Sequence, residues 1–166
     1  ELDKISFTVP ASNKIDGTVY PMEMLIWHKS MDIGKVLILS VFLDVNDATS
    51  KSKTFFDMLG NDLPKKSGTD LHYNTPEDWN IYNALPENKA FYLYSGSLPH
   101  APCTENVTWI VMDTSVNMSN SVYTSIKNII GKNARQIQRN NNRTVYYNPN
   151  NNSKGTRNYG SKLRCY

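Results

Sequence analysis

Apolar residues gather in short runs rich in β-branched and aromatic side chains, at Ile5 to Val9, Met22 to His28, Val36 to Val45, Phe91 to Tyr94 and Val107 to Met112. Runs of this length and composition predict strands, several with both faces covered. VLILSVFLDV is nearly continuous, as a central strand should be, whereas PMEMLIWH sets Glu23 alone among apolar neighbours, where a carboxylate needs a partner. Two segments carry helical spacing. The first, Ser50 to Leu59, places Phe55, Met58 and Leu59 on one face, with Gly60 as its stop. In the second, Ser119 is the cap, Val122, Ile126, Ile129 and Ile130 form the apolar stripe, and Gly131 ends it. The polar stretch 61–90, with three prolines, predicts loop over most of its length. After Gly131 only Thr144 to Tyr147 has strand character.

The 166 residues, 39% hydrophobic and 20% charged, suit one domain with a real core, so we expect a single domain over 1–166. No apolar run approaches the roughly 18 residues that span a bilayer, and ELDKISFTVP lacks the basic and apolar regions of a signal peptide. The net charge of +3 conceals an asymmetry: residues 1–113 carry 9 basic and 15 acidic side chains, residues 114–166 carry 9 basic and none acidic. This basic, Asn-rich C-terminal segment, about 131–166, makes an acidic polysaccharide or other polyanion a candidate partner, with Arg135, Arg139 and Arg143 as contacts. A solvated polar tail is the plainer reading of such dispersed charges.

Asparagine makes up 20 residues and supplies Asn-x-Ser/Thr sequons at Asn106, Asn117, Asn142 and Asn151, which are candidate glycosylation sites but also arise by chance in so Asn-rich a chain. Cys103 and Cys165 allow one disulfide or two free thiols. There is no phosphate-binding glycine loop, nucleophile elbow, C-x-x-C pair, H-E-x-x-H helix or internal repeat.

Five segments, in order, resemble the alpha-class carbonic anhydrases. YSGSLPHAPCTENVTWIVM, Tyr94 to Met112, is similar to the family's Y-x-G-S-L-T-T/H-P-P-C-x-E-x-V-x-W-x-V run, and ALPENKAFYLY to the loop before it. PMEMLIWH resembles the strand E-L/M-H-L-V-H, VLILSVFLDV the next core strand, SVNMSNSVYTSIKNI the helix and NNNRTVYYN the closing N-x-R-P motif. DGTVYPMEM resembles D-G-K-x-Y-P-x-E-x, which lays ISFTVP onto the strand F-H-F-H-W-G.

The resemblance implies a mixed α/β, β-rich fold around a twisted, largely antiparallel sheet with few short helices and long loops. It also implies a chain lacking the N-terminal part of that fold, whether as a fragment, as a fold completed by another polypeptide, or as a trimmed fold whose open sheet edge invites a partner. Family catalysis needs three imidazoles on zinc and a fourth position for water. The resemblance places Ser6, Thr8 and Leu25 on those ligand positions and Pro99 on that of the threonine that orients zinc hydroxide. Ser12 and Asn13 fall on a glutamate and a histidine behind the ligands, while Glu23 is retained. None of His28, His72 and His100 falls on a ligand position, and Trp27 and Trp109 suit the core. The family's usual disulfide partner of Cys103 is missing, which leaves Cys165 as the candidate.

The expectation is therefore a zinc-free pseudoenzyme without catalytic residues, acting as a binding, adhesion or complex-assembly module with a protein partner, and secreted or displayed on a surface. The alternative is an active zinc-dependent carbonic anhydrase with a rearranged metal site drawn from His28, His100 or Cys103.

Overall fold

A computed structural model describes residues 1–31, 34–69, 76–77, 79–139 and 141–149, with the backbone of 157–158 and 163–164. The strands are β1 (Leu2–Thr8), β2 (Lys14–Ile15), β3 (Met22–Lys29), β4 (Val36–Val45), β5 (Phe91–Ser97), β6 (Glu105–Met112), β7 (Val116–Met118), β8 (Tyr146–Asn148), β9 (Arg157–Asn158) and β10 (Leu163–Arg164). Helices α1 (Lys51–Gly60) and α2 (Asn120–Ile130) and a short 3-10 turn at Ile81–Ala84 complete the described elements. The main sheet runs β1-β3-β4-β6-β5-β8-β9, with β7 added alongside β4, and β2 pairs separately with β10. Its pairings are antiparallel except where β4 meets β6 and β7. This is the expected β-rich mixed fold.

Alternation along the strands divides the core into two. Met22, Met24 and Ile26 of β3, with Val41 and Leu43 of β4, pack beneath Phe55 and Phe56 of α1 and Val122 and Ile126 of α2. The opposite face gathers Leu25, Trp27, Ile38 and Phe42 with Tyr92, Tyr94, Val107, Trp109 and Val111. Trp109 and Trp27 are thus both core residues, as their type suggested. β4 is covered on both faces, which is why its sequence is a continuous apolar run.

Each helix begins where the sequence predicts. The Ser50 side chain accepts from Lys53 N and that of Ser119 from Val122 N, each meeting an otherwise orphaned helix donor. Gly131 ends α2 at φ 65°. Asp57 ties the helices together by accepting from Lys53 Nζ and from Ser119 Oγ, both at 2.6 Å. Burial opposes its charge, yet these two hydrogen bonds and the lysine's charge hold its carboxyl below the ordinary value.

Several details depart from the sequence expectation. Gly60 is the last residue of α1 and Asn61 the cap, in an ordinary right-handed conformation. Gly60 is small because α2 lies against it, since a Cβ there would stand 2.6 Å from Val122 Cγ2. β7 and the turn at Ile81–Ala84 fall in stretches with no such prediction, and the last predicted strand is shifted to Tyr146–Asn148. β5 runs on to Ser97, where its register with β6 slips between Gly96 and Ser97. A Cβ at Gly96 would lie 2.8 Å from Tyr94 and 2.9 Å from Trp109, rings that stack 6.0 Å apart.

Gly96→Ala is therefore expected to lose about 1–3 kcal/mol of stability, the usual range for overpacking a core. Urea unfolding at constant slope is the measurement, and an unchanged midpoint would contradict the close packing.

Candidate functional site

On the second sheet face Glu23 lies in β3, with Leu25 and Trp27 following it at two-residue spacing. Glu23 is fully buried, a position that costs several kcal/mol unless donors replace water. Those donors come from three directions. Ser12 N at 2.6 Å, Asn13 N at 3.1 Å and Thr8 Oγ1 at 3.5 Å reach Oε2, while Asn13 Nδ2 at 2.6 Å and Ser40 Oγ reach Oε1. Asn13 is itself held from β5, where Tyr94 Oη donates to its Oδ1 at 3.1 Å. The polar partner required of the isolated glutamate thus proves to be a set of backbone and side-chain donors. Ser12 Oγ is buried without a hydrogen-bond partner among the described residues.

The register β1:β3 sets Ser6 opposite Leu25 and Thr8 opposite Glu23, so the three residues that the resemblance lays on ligand positions do lie together. Their chemistry is that of packing. Ser6 Oγ accepts from Trp27 Nε1 at 2.8 Å, Thr8 Oγ1 turns to Glu23, and Leu25 is buried in the aromatic cluster. The Trp27 indole has two further neighbours: the His100 ring stacks on it at 5.5 Å and Lys4 Nζ stands 4.6 Å from its centroid. Pro99 is buried and offers neither a hydroxyl nor an N–H. Two hydroxyls, one of them engaged by an indole, and an aliphatic side chain do not fit zinc, which takes thiolate, imidazole or carboxylate.

His28 is half-buried in β3 at the alternate parity to Leu25, His100 is exposed in the loop after β5, and His72 lies outside the described residues. Among the described residues no three His, Cys, Asp or Glu side chains are placed to share a metal ion. Cys103 is half-buried and forms no disulfide among the described residues, and Cys165 lies outside them. Of the sequons, Asn106 and Asn142 are exposed, Asn117 is half-buried in β7, and Asn151 lies outside the described residues. Arg139 is exposed, whereas Arg135 and Arg143 are half-buried and line one cavity. No helix of the described residues is long and apolar enough to cross a membrane.

One residue of consequence carried no sequence signal. Asn133, in the segment after α2, lies along the outer edge of β1. Its Nδ2 donates to Phe7 O at 3.0 Å, its Oδ1 accepts from Val9 N at 2.8 Å, and its own N donates to Val9 O at 3.1 Å. It thereby satisfies the strand edge just where β1 hands the chain to the Ser12–Asn13 turn. Ser40 was hidden differently, inside an apolar run, and only its place across from Leu25 and diagonal to Glu23 reveals its use.

The fold is that of the carbonic anhydrases. The model of the family described as eukaryotic-type carbonic anhydrase matches residues 8–149. A carbonic anhydrase of Nostoc sp. is 32% identical over 147 residues, covering 87% of this chain and 53% of its own. One from Neisseria gonorrhoeae is 30% identical, covering 87% and 54%. Among solved structures, the alpha-carbonic anhydrase from Thermovibrio ammonificans in complex with the inhibitor sulfanilamide superposes with a TM-score of 0.78 at 30% identity, covering 87% of this chain and 61% of that one. The chain belongs to the eukaryotic-type carbonic anhydrase family, and it spans about half the length of the curated relatives it matches.

Two substitutions test the glutamate centre. Glu23→Gln keeps the shape but sets an amide donor against Ser12 N, Asn13 or Ser40, and should lose about 3 kcal/mol in denaturant unfolding. Asn133→Ala should lose about 1–2 kcal/mol and specifically speed hydrogen exchange at the Val9 amide. Protection of Val9 equal to that of the parent chain would show that the edge contact is dispensable.

Proposed function

We propose that this chain is a degenerate member of its family, a carbonic anhydrase-like pseudoenzyme that serves as a binding or complex-assembly module. The observation that carries this is the donor set at the aligned ligand positions. Hydration of carbon dioxide by this family's chemistry requires a metal-bound water whose pKa falls to about 7. Ser6, Thr8 and Leu25 would supply no imidazole, and Pro99 could not orient a hydroxide. With Ser6 Oγ accepting from Trp27 and Leu25 buried, the place is filled by packed side chains. Glu23, which would otherwise orient a histidine, serves the fold.

Under this reading the retained fold is a scaffold, because function resides in sites and not in architecture. A protein partner or larger assembly is the natural user of such a scaffold, and the acid-free C-terminal third extends the choice to polyanions. Disulfide pairing of Cys103 with Cys165 and display outside the cytoplasm belong to the same proposal.

The relatives' shared name favours a second reading, an active carbonic anhydrase with a rearranged zinc site. Elemental mass spectrometry of natively purified, untagged chain separates the two. The pseudoenzyme should contain far less than one zinc per chain, and its carbon dioxide hydration should match the buffer blank. One zinc per chain together with hydration above the blank would overturn it, and His28→Ala and His100→Ala would then locate the ligands.

A further inference from the structure

A polar cavity of about 360 Å3 opens where β5 ends and β6 begins, roofed by the segment that follows α2. Two arginines line it, and both are held before any ligand arrives. Arg135 Nη1 donates to Ser97 Oγ at 3.2 Å and to Leu98 O at 3.3 Å. Arg143 donates through Nη1 to Ser95 O at 3.4 Å and through Nη2 to Arg139 O at 3.1 Å, and its guanidinium lies 5.9 Å from the centroid of the Tyr94 ring. A guanidinium carries five N–H donors in a fixed fork, and both Arg135 bonds leave from Nη1, so they orient that group without exhausting its chemistry, while Arg143 brings a second positive charge to the same lining.

The remaining lining is suited to a polar molecule. Gln138, Asn106 and Asn141 add amides, and Glu105 is the only acidic residue among the described lining. Two guanidiniums against one carboxylate leave the described lining net positive, and both arginines come from the stretch after residue 113, which carries no acid. Pockets from about 300 Å3 upward hold small organic ligands, so one sugar-sized unit matches this volume. Fixed donors also lower the ordering cost of binding.

We infer that this cavity is a binding site for a small organic oxyanion, with a carboxylate, sulfate or phosphate group taken by Arg135 and Arg143 and a hydroxylated remainder set against Gln138 and Asn141. The site goes beyond the proposed loss of zinc and does not rest on it: it lies among different residues, and a zinc-loaded chain would possess it equally.

The test is a titration of the 15N-labelled full chain, followed by amide chemical shifts, with sodium glucuronate, sodium sulfate and glucose. Saturable shifts at Ser97, Cys103 and Glu105 with glucuronate but not glucose are expected. If sulfate saturates the same amides as tightly, the site reads the oxyanion alone and its ligand is the free anion. If sulfate is weaker, the hydroxylated carrier contributes. Two substitutions at exposed positions bracket the electrostatics without touching the arginines. At low salt, Glu105→Gln should tighten glucuronate binding and Gln138→Glu should weaken it, each by about three- to fivefold. Glucose binding as well as glucuronate, no saturable shift, or variants that fail to move the affinity in opposite directions would overturn the assignment.

Discussion

A carboxylate buried in an apolar sheet face governs the organisation of this molecule. Glu23 cannot stay there without donors, and no single neighbouring strand supplies enough of them. Thr8 comes from β1, Ser40 from β4, and Ser12 and Asn13 from the turn that leaves β1. Meeting this one requirement therefore fixes the register of three strands and folds the turn back over the sheet. Asn13 extends the tie to β5 through Tyr94, across the parallel β4:β6 pair. Asn133 then closes the outer edge of β1 at the point where the turn departs. The polar groups are few, but each joins elements far apart in sequence, so they specify which apolar surfaces meet.

The apolar surfaces themselves were largely legible. β3, β4 and β6 announce themselves because a strand covered on both faces must be apolar throughout. β1 begins three residues before its apolar run, since Leu2 and Lys4 pair with β3 across a register shift while the side chains of Leu2, Asp3 and Lys4 are exposed, and pairing leaves no mark on composition. β7 is only three residues long and is defined by its parallel partner β4. Gly60 had the composition of a helix stop, yet what it provides is room for Val122, a contact between helices distant in sequence.

The polar site was half legible. Glu23 stood out because a lone acid in an apolar run demands compensation, whereas the identity of the donors depended on register. Ser40 looks like a tolerated interruption until β3 is laid beside β4. Arg135 and Arg143 were visible as charge, and Arg139 equally so, but only folding distinguishes the two that share a cavity from the one that does not. Charge along a chain is additive and readable, while convergence of charges is a property of the loops that carry them.

The architecture also explains why the fold can persist under the proposed loss of zinc. Two of the donors to Glu23 are backbone N–H groups of Ser12 and Asn13, which any side chains at those positions would present. The others come from Thr8, Ser40 and the Asn13 amide, and none of them requires a metal. Ser6 and Leu25, in contrast, meet the aromatic cluster, where an aliphatic side chain and a hydroxyl bonded to an indole contribute burial directly. Replacing imidazoles at such positions removes the need to hold several polar nitrogens inside the protein, each of which needs a metal or a hydrogen-bond partner there. Stability and metal chemistry thus rest on adjacent but separable residues, and a chain released from the second keeps every interaction on which the first depends.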